Sequence, residues 1–177
     1  RESAVSLIAC LRQVTARIDL PVILQDLDWS GPGLAIETIL RVADAVSRVK
    51  GIKVETQPAG PKYSAVRNAS DGRLHVSGGW AVTEMIDGHK LCVDAFMPEP
   101  SMVRIYRAIW DAFQAGDTVE AAALFDRLSP ILSFSNQNID LSIRFFKRVL
   151  KERGIFATSV CREGVGELDV GKTAEAD

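Results

Sequence analysis

Three observations predict an α/β fold built on a parallel sheet. Short apolar runs alternate with stretches of helical period. The runs are apolar on both faces rather than alternating, and they start about 20–30 residues apart, as strand–helix–strand crossovers require. Strands buried on both faces and joined by helices belong either to a doubly wound sheet or to part of a (β/α)8 barrel.

The elements follow in order. Residues 5–17 carry Val5, Ile8, Leu11 and Val14 or Ala16 on one side, so the chain opens inside a helix. Leu20–Asp26 is a continuous apolar run ending in polar residues, and Gly33–Lys50 places Ile36, Ile39, Ala43, Val46 and Val49 at helical intervals. The unit then returns three times: GIKVET (51–56) before the helix Pro61–Ala69, RLHVSGG (73–79) before Trp80–Gly88, and CVDAFMP (92–98) before Ser101–Ala115. Two further helices, Asp117–Phe134 and Asn138–Arg153, follow without an intervening strand. Gly116 is a helix stop and Asp117 the next N-cap, while Gly154 ends the last helix behind Lys151 and Arg153. The polar tail from residue 161 is expected to be flexible.

Composition narrows the function. The 177 residues carry 21 Lys+Arg against 23 Asp+Glu, a net charge of −2, and 47% are apolar. That is one domain's worth of core, with no basic stripe for nucleic acid or an anionic membrane. The longest apolar runs, such as Leu20–Leu24, fall far short of the ~20 residues of a membrane helix, so no membrane partner is expected. Cys10, Cys92 and Cys161 are widely spaced with no C-x-x-C pair, which suits a reducing cytoplasm. Two histidines, His75 and His89, are too few for a dedicated transition-metal site, and none is expected. Four strands are half of the eight a barrel needs, and an opening inside a helix suits a fragment lacking its N-terminal half.

Lys53 lies between Ile52 and Val54 in a segment its neighbours mark as buried. Removing an ammonium from water favours the neutral amine, the nucleophile that attacks a carbonyl carbon to form a Schiff base. The plainer reading is an ion pair with Glu55, two residues on and therefore on the same strand face. Position supports the first, because side chains at the C-terminal ends of barrel strands line active sites.

The strand–GIK–helix unit, Ser77-Gly78-Gly79 at the next strand's end, the V-D-A-F-M strand and the terminal helices together resemble the dihydrodipicolinate synthase / N-acetylneuraminate lyase family. The resemblance runs over nearly the whole chain and includes Phe134–Phe156, similar to the family's closing helix pair. It implies a (β/α)8 barrel with added C-terminal helices, commonly a homotetramer, whose strand-six lysine forms an imine with pyruvate or another 2-oxo acid. Lys53 matches that lysine. Gly78 matches a glycine beside the bound oxo acid, and Met97 an apolar position next to it. The family's strand-five Tyr-Asn and the following Pro-Gly-Arg-Thr-Gly-like loop are not carried over. Gln25 stands at the tyrosine position, and Trp29 or Ser30 about where the arginine would be. This departure argues against lysine-pathway synthase activity. An amide cannot relay a proton as a phenol does, although Asp26 or Asp28 could serve as acid or base if not simply capping the following loop and helix.

The expected architecture is therefore a partial (β/α)8 barrel over residues 1–115, a helical extension over 116–160 and a flexible tail over 161–177. The expected function is a Schiff-base lyase or aldolase acting through Lys53 on a 2-oxo acid or sugar-acid derivative, with Gln25, Gly78 and Met97 as substrate contacts. No metal or organic cofactor is expected, and the full-length protein is expected to be a cytoplasmic homo-oligomer, tetramer or dimer. Two alternatives stand beside it: a family member that binds a keto acid without turnover, and a phosphate-binding barrel enzyme holding its ligand at Ser77–Gly79.

Overall fold

Four short runs rich in β-branched and apolar residues pair in chain order to make a wholly parallel sheet, β1-β2-β3-β4. The strands are β1 (Val22–Asp28), β2 (Val49–Thr56), β3 (His75–Gly78) and β4 (Ala95–Phe96). The computed structural model describes residues 3–28, 30–79, 83–91 and 93–162. Helices α1 (Ala4–Thr15), α2 (Ile36–Ala45), α3 (Gly60–Ala69) and α4 (Met85–Lys90) precede or connect the strands. A 3-10 turn (Pro100–Met102) leads into α5 (Val103–Gln114), followed by α6 (Thr118–Ser135) and α7 (Ile139–Glu152). The α/β class with a parallel sheet is thus what the alternating pattern predicted.

Two compact units divide between Met97 and Pro98. In the first, one sheet face and the helices over it enclose a core of Leu24, Ile52, Val54 and Val76 from the strands with Ile39, Val42, Tyr63 and Val66 from α2 and α3. Period 3.6 puts Ile39, Val42 and Ala43 on one side of α2, where they are buried. Arg12 of α1 donates to the Ala45 carbonyl at the end of α2, satisfying an acceptor the helix leaves open (3.1 Å). In the second unit, α5 buries Tyr106, Ile109 and Phe113, and α7 buries Leu141, Phe145, Phe146 and Leu150. The Phe134, Phe145 and Phe146 rings meet edge to face, with centroids 5.2 and 5.0 Å apart. Asp117 and Asn138 cap α6 and α7 through their side chains, and Gly116 and Gly154 take the positive φ that closes a helix (82° and 70°).

Several boundaries differ from the sequence pattern. The first strand begins at Val22 rather than Leu20, and α2 spans Ile36–Ala45 rather than residues 33–50. Val46 turns extended (φ −127°), and Val49 and Lys50 join β2, where Val49 pairs with Val22; β-branched residues at helical spacing had lengthened the expected helix. The strand expected over 92–98 is a two-residue pairing, because the Asp94 carboxylate accepts the Val76 N–H (2.8 Å) just before it. Of the helix expected over 80–88, Trp80, Ala81 and Val82 lie outside the described residues, and α4 runs from Met85. Cys92 and most of the expected tail lie outside them as well. Helix α5, grouped with the sheet by the expected boundary after residue 115, falls in the second unit and packs on α6.

Candidate active site

The sheet register assembles the site. Gln25 pairs with Lys53 and Leu27 with Glu55 between β1 and β2, and Lys53 pairs with Ser77 between β2 and β3. Because successive side chains point to opposite faces, Gln25, Lys53, Glu55 and Ser77 share one face, while Asp26, Ile52, Val54 and Val76 share the other. Ile23 and Leu27, on the Lys53 face, are 42% and 51% exposed.

On that face the Lys53 ammonium lies 2.9 Å from Glu55 Oε1, with the lysine side chain 21% exposed and the glutamate 11%. Gln25 Nε2 donates to the other oxygen, Oε2, at 2.5 Å. One carboxylate is therefore held between an amide and an amine from neighbouring strands. The expected dry, isolated amine is not what forms: the plainer reading of the sequence, the pair with Glu55, is the observed geometry. Gly79 makes room for it, since a Cβ there would stand 2.1 Å from Glu55 Oε1.

Gly78 does not face Glu55. A Cβ on it would strike the Phe96 ring (2.7 Å) and Tyr63 Oη (2.8 Å), and its carbonyl accepts the Met97 N–H at 3.0 Å. Met97 itself is 36% exposed. Ser77 is fully buried and donates to the Ile52 carbonyl (3.3 Å). His75 stands 3.9 Å from Asp94, as a strand-face residue would. Trp29 lies outside the described residues.

Asp26 and Asp28, offered by the sequence as acid or base, are on the face opposite Lys53. Asp28 accepts from Ser30 N (3.3 Å) and Gly33 N (3.1 Å), and Asp26 Oδ1 from Leu34 N (2.9 Å). They organise the loop from β1 to α2. The other Asp26 oxygen meets Lys62, whose ammonium also donates to the Pro32 carbonyl; both side chains are buried.

Lys62, Glu84 and Tyr63 were missed by sequence reasoning. Glu84 accepts from Ala59 N (3.1 Å) and Gly60 N (2.7 Å), so a carboxylate fills the positive N-terminal end of α3. One signal for Lys62 was available: a cation in the first turn of a helix opposes the helix dipole and needs a compensating partner. Burial, then the Glu84 and Glu55 carboxylates, push the Tyr63 phenol far above its ordinary range, so it keeps its proton.

Comparison with known proteins identifies the family and the fold. The model of the dihydrodipicolinate synthetase family matches residues 2–176. The chain belongs to that family. Over 168 residues it is 26% identical to L-2-keto-3-deoxyarabonate dehydratase of Azospirillum brasilense, covering 92% of this chain and 52% of the relative. Its fold superimposes on dihydrodipicolinate synthase from Rhodopseudomonas palustris (TM-score 0.87, 22% identity, 98% of this chain and 60% of that one). It also superimposes on N-acetylneuraminate lyase from Fusobacterium nucleatum (TM-score 0.81, 13% identity, 99% and 59%). The chain thus spans about half the length of its curated relative. The dihydrodipicolinate synthetase family is one of Schiff-base lyases of the class I aldolase type, and this chain carries the family's α/β fold with a parallel sheet.

Proposed function

We propose that this chain is the C-terminal part of a (β/α)8 Schiff-base dehydratase acting on a 2-keto-3-deoxy sugar acid, with Lys53 as nucleophile and Glu55 as its proton-transfer partner. The observation that carries the reading is the Glu55 carboxylate held 2.9 Å from the lysine amine on the same sheet face. Glu55 takes the ammonium proton, and the freed amine attacks C2 of the keto acid. The keto oxygen leaves as water and an iminium remains. Glu55 then removes a proton from C3, and the resulting enamine expels the C4 hydroxyl, which departs as a second water with that proton. Addition of one water to the conjugated iminium releases the product and restores the amine, so the net change is loss of one water. The iminium is the electron sink, and the chemistry needs no metal or organic cofactor.

Gln25 supports this division of labour. It cannot relay a proton, but its N–H orients the carboxylate that can. The dehydratase relative supports dehydration and supplies the substrate class. Gly78, through its backbone, and Met97 are assigned to the edge of the keto-acid site. The full-length protein is taken to be a cytoplasmic homo-oligomer that binds only small molecules. The phosphate-binding alternative is disfavoured at Ser77–Gly79 itself, where the Glu55 carboxylate fills the space beside Gly79 and the Ser77 hydroxyl is engaged by the Ile52 carbonyl.

The test is turnover of a 2-keto-3-deoxy pentonate by the full-length protein and its Glu55→Gln variant. Wild type should release a dehydrated product, and the variant should fall by about 10²–10⁴-fold, the usual worth of a positioned acid–base group. Wild-type binding of the substrate without turnover would favour the alternative of a non-catalytic keto-acid binder.

A further inference from the structure

The second unit holds a cavity of about 910 Å³, inside the range of about 300–1,000 Å³ typical of small-molecule sites. Arg104, Arg127 and Arg153 line it, and no Asp or Glu does. In a chain with a net charge of −2, a wall of three guanidinium groups without a lining acid is a marked local excess of positive charge. Among the described residues, neither Arg104 nor Arg127 is in an ion pair. Arg153 is anchored by donating to the Ser101 carbonyl, which uses one of its five N–H groups.

Ser101 provides an independent sign. It lines the same cavity, is only 4% exposed, and its hydroxyl has no hydrogen-bond partner among the described residues. A buried hydroxyl without a partner costs free energy that a ligand oxygen would recover. Glu99, two residues earlier, does not serve it, because that carboxylate accepts the Ser101 and Met102 backbone N–H groups (2.6 and 3.2 Å). Buried Met102 and Leu128 give the cavity an apolar side.

We infer that this cavity binds a small polyanion, a molecule carrying two or more carboxylate or phosphate groups on a short apolar frame. The guanidinium groups hold the anionic groups by charge-assisted, fork-like hydrogen bonds, and the Ser101 hydroxyl donates to one of their oxygens. The site takes no part in the Lys53 chemistry, so it stands or falls separately.

Calorimetric titration of the full-length protein with citrate and, separately, inorganic pyrophosphate tests the inference. At least one probe should bind saturably, more weakly as salt is raised, and the probe that binds tells carboxylate from phosphate ligands. Arg104→Ala and Arg127→Ala, both at exposed positions, should each weaken binding by about 10-fold or more. Ser101→Ala should weaken it further with far-UV circular dichroism unchanged, and Lys53→Ala should bind as wild type. Failure of both probes to saturate, or wild-type affinity in the Arg104/Arg127 double variant, would overturn the site.

Discussion

Glu55 is the residue on which the proposed chemistry turns. It receives Gln25 on one oxygen and Lys53 on the other, and Gly79 leaves the gap in which its carboxylate sits. Gly79→Ala would drive a methyl group into Glu55 Oε1, Cγ and Cδ (2.1–2.5 Å), so the carboxylate must leave its place between Gln25 and Lys53. The expected outcome in steady-state kinetics is a loss of kcat of at least about 10²-fold, with imine formation at Lys53 still detectable. Lys53 itself was legible in the sequence, because a lysine between Ile and Val in a strand is unusual on physical grounds. Glu55 was legible as its same-face neighbour. The Gln25–Glu55 contact was not, since it depends on an inter-strand register spanning thirty residues that no local pattern encodes.

At the level of elements, two charged contacts tie loops to the sheet. Asp26 and Lys62 join the end of β1 to the first turn of α3 in a setting where both are buried. Lys62→Met should cost about 3–5 kcal/mol in denaturant unfolding, because it strands a buried carboxylate, and adding Asp26→Asn should restore much of that loss. Asp94 supports β3 from the start of β4. Burial pushes its carboxyl up, but the Val76 N–H and the Arg67 guanidinium outweigh burial, with His75 adding to them, and hold it below the usual carboxylate range. A group whose folded pKa is depressed lends stability that is present above its unfolded value, ~3.9, and is lost as pH falls through the folded value. Unfolding free energy measured from pH 7 down through the acid range should therefore fall more steeply in wild type than in Asp94→Ala. The β4 contact also shows where periodicity runs out. Residues 92–98 read as a strand by composition, yet a side chain takes the backbone donor beside which the ladder would have begun. The end of α2 was misjudged for a related reason, as Val46 and Val49 fit helical spacing and extended backbone equally well.

The whole molecule presents a sheet whose Lys53 face carries exposed Ile23 and Leu27 beside the Lys53–Glu55 ion pair. Alternation of strands and helices was sufficient to read the α/β class and the terminal helices, because each rests on local periodicity. Where the compact units part was not readable, since Met97 and Pro98 lie in a connection that looks like any other loop. Under the half-barrel proposal, the open face is completed by chain preceding these residues. The 177 residues alone should then bind an apolar dye and show no turnover, and the full-length protein should reverse both. The most direct measurement is borohydride reduction of the full-length protein incubated with pyruvate or a 2-keto-3-deoxy acid, followed by peptide mass spectrometry. The account predicts a reduced adduct on the peptide containing Lys53 that disappears in Lys53→Ala. An adduct on another lysine, such as Lys62, or none with any 2-oxo acid tried, would contradict it.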